Sequence, residues 1–150
     1  MKVLFIGGTG VISSEVSTFA VQNGMALTIL NRSVSNKHAI PSGAKQIQGD
    51  VKKETPDLLS QLNGQNFDVV VDWIALTPQD IERDLRLFRG NTGQFIFISS
   101  ASAYQKPPAN YLITEETELE NPHWQYSRDK ITCEQLLMDG NYSAIRVKCH

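Results

Sequence analysis

One hundred and fifty residues are enough for one domain with a core of its own. An apolar fraction of 41% and a charged fraction of 20% are ordinary for a globular protein, and a net charge of −2 supplies no basic surface for nucleic acid or an anionic membrane. The longest apolar stretch, FDVVVDWIAL, is broken by Asp72 and is too short to span a bilayer; Cys133 and Cys149, with the scattered His38, His123 and His150, have no metal-ligand spacing, so no metal site is expected and the thiols read as reduced in a cytoplasmic protein.

The first element is KVLFI (2–6), a continuous apolar run of the kind shown by a strand buried on both faces. It meets GGTG, and a helical pattern begins at Val11. That helix's stripe, Ile12, Val16, Phe19 and Ala20, stops at Asn23-Gly24. Strand, glycine turn and helix, in that order, frame a phosphate loop for a dinucleotide. Gly7 permits the tight turn and Gly10 lets the backbone approach a pyrophosphate. The free amides that follow, at Val11 and Ile12, and the helix dipole favour an anion. Ser13 stands where the fingerprint has a third glycine, whose main task is close helix–strand packing, so it weakens the pattern more than the function. A glycine-rich turn without a ligand is the alternative, and only context decides.

ALTIL (26–30) is the second strand and ends at Asn31-Arg32. An acidic residue there would accept from a ribose 2′-hydroxyl and select NAD. Arg32 offers a guanidinium to a 2′-phosphate, so NADP is favoured over NAD. Arg32 reads alternatively as a solvated loop charge, or as a stack on adenine that does not discriminate. AKQIQ (44–48) is a weak third strand and FDVVVDWIA (67–75) the fourth. TPQDIERDLRLF then opens on an N-cap threonine, with Pro78 at the first helical position and Ile81, Leu85 and Phe88 as its stripe. QFIFISS (94–100) is the fifth strand. Its small hydroxyl residues fall at the carboxyl edge, where open α/β sheets hold ligands. Residues 102–123 lack periodicity and contain Pro107, Pro108 and Pro122, so they read as a loop near the site. A third helix from about Trp124 to Met138 ends at Asp139-Gly140, and YSAIRV (142–147) is the sixth strand. The alternation predicts a Rossmann-like α/β fold: a doubly wound parallel sheet in three α/β/α layers, with right-handed crossovers and the glycine loop at the topological switch point. Residues 1–150 then form one dinucleotide-binding domain.

In WQYSRDKITCEQLL, Tyr126 and Lys130 are four apart and share a helix face with Cys133 and Leu137. Cys133 and Leu137 mark that face as core-facing, where a lysine needs a partner or a task. An ammonium near a phenol favours the phenolate, which suits Tyr126 to moving a proton. A serine at the end of the neighbouring strand can hydrogen-bond a substrate carbonyl or hydroxyl. A lone Y-x-x-x-K on a helix surface is the alternative. Its place after a serine-rich strand end, in a chain that opens on a glycine loop, argues for a site.

GGTGVIS, NR after the second strand, GD at Gly49-Asp50, FISSASAY and YSRDK together resemble the extended short-chain dehydrogenase/reductases, and more narrowly the NAD-dependent epimerase/dehydratase group. ITEETELENPHWQYSRDK is similar to that group's approach to its tyrosine, and the likeness spans nearly the whole chain. It implies Tyr126 as general acid/base and Lys130 as the binder of the nicotinamide ribose. Ser100, counted back from Tyr104 in S-x-x-x-Y, is implied as the catalytic serine ahead of Ser102. Gly7, Gly10 and the amides of Val11 and Ile12 would hold the pyrophosphate, with Asn31 and Arg32 at the adenosine ribose. Asp50, followed by Val51, would contact adenine, and Ala75 would line the adenosine side. The implied activity is that of an NAD(P)-dependent epimerase, dehydratase or reductase using a Ser/Tyr/Lys site and hydride transfer on a sugar-like or nucleotide-sugar substrate. The resemblance further implies a homodimer through the helices at 78–89 and 124–138. A non-catalytic NAD(P)-binding module, a redox sensor or RNA-associated protein, is the other class. Three features depart from the group: Ser13, Arg32 and the length. By the usual domain-size prior, members run to about twice this length. The C-terminal substrate portion is therefore expected to be absent, since YSAIRVKCH stands where a proline-containing turn into it belongs.

Overall fold

The structure, a computed structural model, describes residues 1–33, 38–139 and 146–149, the last four as backbone only. The described strands are β1 (Lys2–Ile6), β2 (Ala26–Asn31), β3 (Lys45–Gln48), β4 (Phe67–Asp72), β5 (Thr92–Phe97) and β6 (Arg146–Cys149). They form one sheet in the order β3-β2-β1-β4-β5-β6, and every neighbouring pair is parallel. The winding reverses between β1 and β4, so a crevice opens there at the strands' carboxyl ends. This is the doubly wound Rossmann-like sheet expected from the alternating pattern. Of YSAIRV, Arg146 and Val147 fall in the sixth strand, which runs on to Cys149; residues 142–145, like Gly140, lie outside the described residues.

Alternation along each strand feeds two cores. Leu4 and Ile6 of β1, Val70 of β4, and Phe95 and Phe97 of β5 face the larger one. Helices α2 (Pro56–Leu62), α3 (Pro78–Phe88) and α4 (Gln125–Asp139) cover it with Leu58, with Ile81, Leu85 and Phe88, and with Cys133 and Leu137. Val3, Phe5, Val71 and the half-buried Trp73, Ile96 and Ile98 face the other core, which meets α1 (Val11–Gln22). Helix α2 left no periodic signal because it has seven residues and buries only Leu58. Its start was nevertheless marked, since Thr55 caps it and Pro56 is its first residue.

Helix α1 corrects one expectation. Its buried face is Ser13, Ser14, Ser17 and Ala20, whereas Ile12 and Phe19 are 73% and 62% exposed. The helix approaches the sheet too closely for large side chains. Ser17 Oγ donates to the Gly8 carbonyl at 2.9 Å. A Cβ on Gly8 would lie 3.3 Å from Phe5 Cβ, Ile29 Cγ2 and Ser17 Oγ alike. The small residues therefore turn inward; of the expected stripe, Ala20 and the half-buried Val16 face the core, while Ile12 and Phe19 turn outward.

Helix α3 is capped as its sequence predicts. Thr77 Oγ1 accepts from the Asp80 amide at 3.4 Å, and the Asp80 carboxylate accepts from the Thr77 amide at 3.2 Å. Thr77→Ala is expected to cost about 1 kcal/mol, read by urea unfolding. Residues 102–123 are not a free loop. A 3-10 turn over Ala101–Ala103 leads to a bridge between Tyr104 and Leu119, which folds the segment back on itself. Among the described residues, no helix is long and apolar enough to cross a membrane.

Candidate functional site

The glycine loop lies where β1 ends. Gly7 has φ +102°, and a Cβ there would sit 2.9 Å from Ile74 Cγ2 and 3.1 Å from Trp73 Cβ. Only glycine fits that conformation and that gap. Gly10 caps α1, and its amide donates to Ser13 Oγ at 2.9 Å. Ser13 thus does more than fill a packing position, because its hydroxyl fixes the turn. The first intrahelical bond runs from the Ser14 amide to the Gly10 carbonyl at 3.0 Å. The amides of Val11 and Ile12 precede it and mark the open N-terminus of the helix.

A cavity of about 500 Å³ opens beside this loop. Of the residues expected to hold a cofactor, Gly7, Asn31, Arg32, Asp50 and Val51 line it. Asn31 Oδ1 accepts from Gln46 Nε2 at 2.9 Å, and its carbonyl accepts from the Gly49 amide at 2.9 Å, which joins the ends of β2 and β3. Arg32 is exposed at the rim. Asp50 Oδ1 accepts from the Lys52 amide at 3.1 Å. Ala75 is not on the wall. It is fully buried, and its neighbours Ile74 and Leu76 face the cavity instead. Three apolar residues in a row carry no contrast from which that orientation could be read.

Lys52 was not singled out from the sequence. It lines the cavity and forms an ion pair with Asp80 at 3.2 Å. Burial pushes the Asp80 carboxyl up, but its donors win and hold it well below the usual carboxylate range. Those donors are the amides of Leu76 and Thr77, Arg83 and Lys52. One carboxylate therefore ties the turn after β4, the start of α3 and a cation in the cavity.

Tyr126 and Lys130 lie one turn apart on α4. Lys130 is 3% exposed, and its Nζ donates to the carbonyls of Ala75 and Ile98 at 2.8 Å each, beyond the ends of β4 and β5. It also lies 4.3 Å from the Phe97 ring centroid. Burial pulls the Lys130 pKa down, opposed by Cys133 and by the carboxylates of Asp72, Asp80 and Glu134. The half-buried Tyr126 ring is 5.8 Å from Lys130 Nζ and packs on Trp124 with centroids 5.0 Å apart. Ser100 Oγ is hydrogen-bonded to Ser102 Oγ at 2.9 Å, and Ser127 Oγ donates to Ser102 Oγ at 3.0 Å. Asn121 Nδ2 holds the Ser102 carbonyl at 2.8 Å. Ser99 Oγ donates to Glu134. Ser100, Tyr126 and Lys130 are thus gathered beyond β4 and β5, although no hydrogen bond joins Ser100 to Tyr126 among the described residues. Asn121 and Ser127 support this hydroxyl chain and were missed, because Asn121 sits in an aperiodic segment and Ser127, buried in the first turn of α4, looks in sequence like any other polar helix residue. Cys133 is core; burial pushes its thiol up to about 12. Among the described residues, no group of three His, Cys, Asp or Glu side chains could hold a metal.

The chain is similar to proteins of one family. The sequence profile of the NAD dependent epimerase/dehydratase family matches residues 3–147. The UDP-glucose 4-epimerase of Lactobacillus helveticus is 30% identical over 170 aligned residues, covering 97% of this chain and 51% of that protein. The solved UDP-glucose 4-epimerase from Brucella ovis, in complex with NAD, superposes with a TM-score of 0.83 at 21% identity, over 99% of this chain and 50% of that one. That from Bifidobacterium longum, in complex with NAD+ and UDP, gives 0.82 at 22% identity, over 98% and 52%. At those identities the structural likeness speaks for the fold. The chain spans about half the length of the curated relative and of both solved structures.

Proposed function

Because the chain belongs to the NAD dependent epimerase/dehydratase family, we propose that it holds a nicotinamide dinucleotide and carries the proton-transfer residues of a hydride-transfer enzyme acting on a nucleotide-linked sugar. The observation that carries this reading is one sheet edge with two parts. The Gly7 cradle and its cavity lie beyond β1 and β2, and the Tyr126–Lys130 turn sits over the ends of β4 and β5. The residues fit the dinucleotide. Gly7 leaves open the space that a Cβ would fill, the amides of Val11 and Ile12 would suit the pyrophosphate, and Asn31, Arg32, Asp50 and Val51 line the cavity that would take the adenosine.

Bound there, the dinucleotide supplies the hydride acceptor. Lys130 has three N–H donors, and two are spent on the carbonyls of Ala75 and Ile98. The third is left for a ribose hydroxyl. Tyr126 takes the proton from a substrate hydroxyl or returns it to the carbonyl. The Ser100 hydroxyl, oriented through Ser102, hydrogen-bonds that oxygen. Relatives that are UDP-glucose 4-epimerases make a UDP-hexose the substrate to try first. The test is incubation with UDP-glucose and NAD, with the sugar followed by NMR. Formation of the 4-epimer or of an oxidised sugar is expected; no change in a panel of nucleotide sugars would contradict the substrate class. A homodimer through α3 and α4, which pack side by side, belongs to the same proposal.

The preference for NADP rests on Arg32, a cation where an acidic residue would select NAD. Arg32→Ala is expected to weaken NADPH binding about tenfold more than NADH binding, the loss of one charge-assisted hydrogen bond. Equal losses would show that Arg32 does not read a phosphate.

A further inference from the structure

Two aspartates in the floor of the site have a structure that ionised carboxylates do not explain. Asp72 ends β4 and Asp84 lies in α3, and both are 0% exposed. Asp72 Oδ1 accepts from the amides of Ile74 and Ala75 at 2.7 and 2.9 Å. Asp84 Oδ1 accepts from Arg83 Nε at 2.8 Å. The second oxygen of each, Oδ2, is buried and has no donor among the described residues, yet the two side chains are within hydrogen-bonding reach of each other. Ionised carboxylates only accept. Two of them meeting in a core would leave both oxygens unsatisfied and press like charges together. A single proton between them removes both problems.

We propose that Asp84 is held neutral with its hydroxyl donating to Asp72, and that this acid pair positions Lys130. The link to the lysine is short. Asp72 grips two successive amides of the turn after β4, and the carbonyl of Ala75 in that turn accepts from Lys130 Nζ. Asp84 fixes the oxygen of Asp72 that this grip leaves over. The charged and titratable neighbours agree. On α3, Arg83 stands 2.7 Å from Asp80 and 2.8 Å from Asp84, so when Asp84 is neutral the guanidinium keeps Asp80 as its ionised partner and still donates to the Asp84 carbonyl oxygen. From α4 come Lys130, Cys133 and Glu134, and from the segment after β3 comes Lys52, bound to Asp80. Burial first, and the Asp72 carboxyl second, push Asp84 well above the ordinary carboxylate range against the pull of Arg83. The role at Lys130 rests on the hydride-transfer reading; the shared proton does not.

The test has three arms. In protein with 13C-labelled aspartate, the Asp84 carboxyl carbon is expected to keep its protonated chemical shift from pH 5 to pH 8. An ionised shift at pH 7 would overturn the pair. The second arm uses Asp84→Asn, whose amide can donate to Asp72 and whose oxygen can accept from Arg83. The native protein would keep a proton that the unfolded chain loses above about pH 4, so its stability falls as pH rises. Relative to Asp84→Asn, the wild-type unfolding constant is expected to rise about tenfold per pH unit across that range. A difference that does not change with pH would overturn the proposal. The third arm compares NADH binding and the pH profile of turnover in Asp84→Ala and Asp84→Asn. Weakened binding and a displaced profile in the alanine variant, both restored by asparagine, are expected. Identical behaviour of the two would overturn the positioning role. A wild-type protein that binds no dinucleotide would overturn the hydride-transfer reading and that role with it, while the carbon shift decides the shared proton by itself.

Discussion

Tyr126→Phe is expected to lower turnover by about 10²–10⁴-fold while leaving dinucleotide affinity almost unchanged. The substitution removes one hydroxyl and keeps the ring. The ring's packing on Trp124 is apolar and survives. The phosphate cradle, the cavity and both Lys130 hydrogen bonds lie on other residues, so the cofactor has no reason to leave. What disappears is the group proposed to exchange a proton with the substrate oxygen. Single-turnover kinetics with a nucleotide sugar, beside a direct NADH titration, separate the two effects. Turnover retained in the phenylalanine variant would remove Tyr126 from the chemistry.

Gly7→Val is expected to act at the opposite end of the site, abolishing dinucleotide binding and lowering stability. Gly7 has φ +102°, a backbone conformation that a β-branched residue avoids. Its Cβ would lie 2.9 Å from Ile74 Cγ2 and 3.1 Å from Trp73 Cβ, so the turn after β4 would have to move. Strain of this kind costs on the order of 1–3 kcal/mol before the clash is counted. That turn carries Ala75, so the damage reaches Lys130 as well. Thermal unfolding and NADH titration read the two losses. A variant as stable as wild type, with unchanged affinity, would mean that the loop does not hold the cofactor.

Much of this was legible in the sequence for physical reasons. Strands buried on both faces must be continuously apolar, so KVLFI, ALTIL and FDVVVD were visible as strands, and their alternation with helices dictated the winding. Thr77-Pro78 announced α3 because capping chemistry is local. Tyr126 and Lys130 stood out because their spacing and the core residues Cys133 and Leu137 are properties of one helix face. The rest was hidden because it depends on where elements meet. The inward face of α1 carries serines, since the backbone approach there excludes larger side chains, and apolar periodicity found Val16 and Ala20 on that face but added Ile12 and Phe19, which face outward. Lys52, Asn121 and Ser127 act through residues distant in sequence. Asp72 registered only as the break in an apolar run, and its pairing with Asp84 exists only once β4 and α3 are packed.

Occupancy of the loop at Gly7 by a nicotinamide dinucleotide can be read by direct titration. The indole of Trp73 borders Gly7, so tryptophan fluorescence should report an occupant of the cradle. Titration of the wild-type protein with NADH and with NADPH should give a saturable change in that fluorescence with at least one of them, and Gly7→Val should lose it. A wild-type protein that binds neither, nor their oxidised forms, would contradict the account.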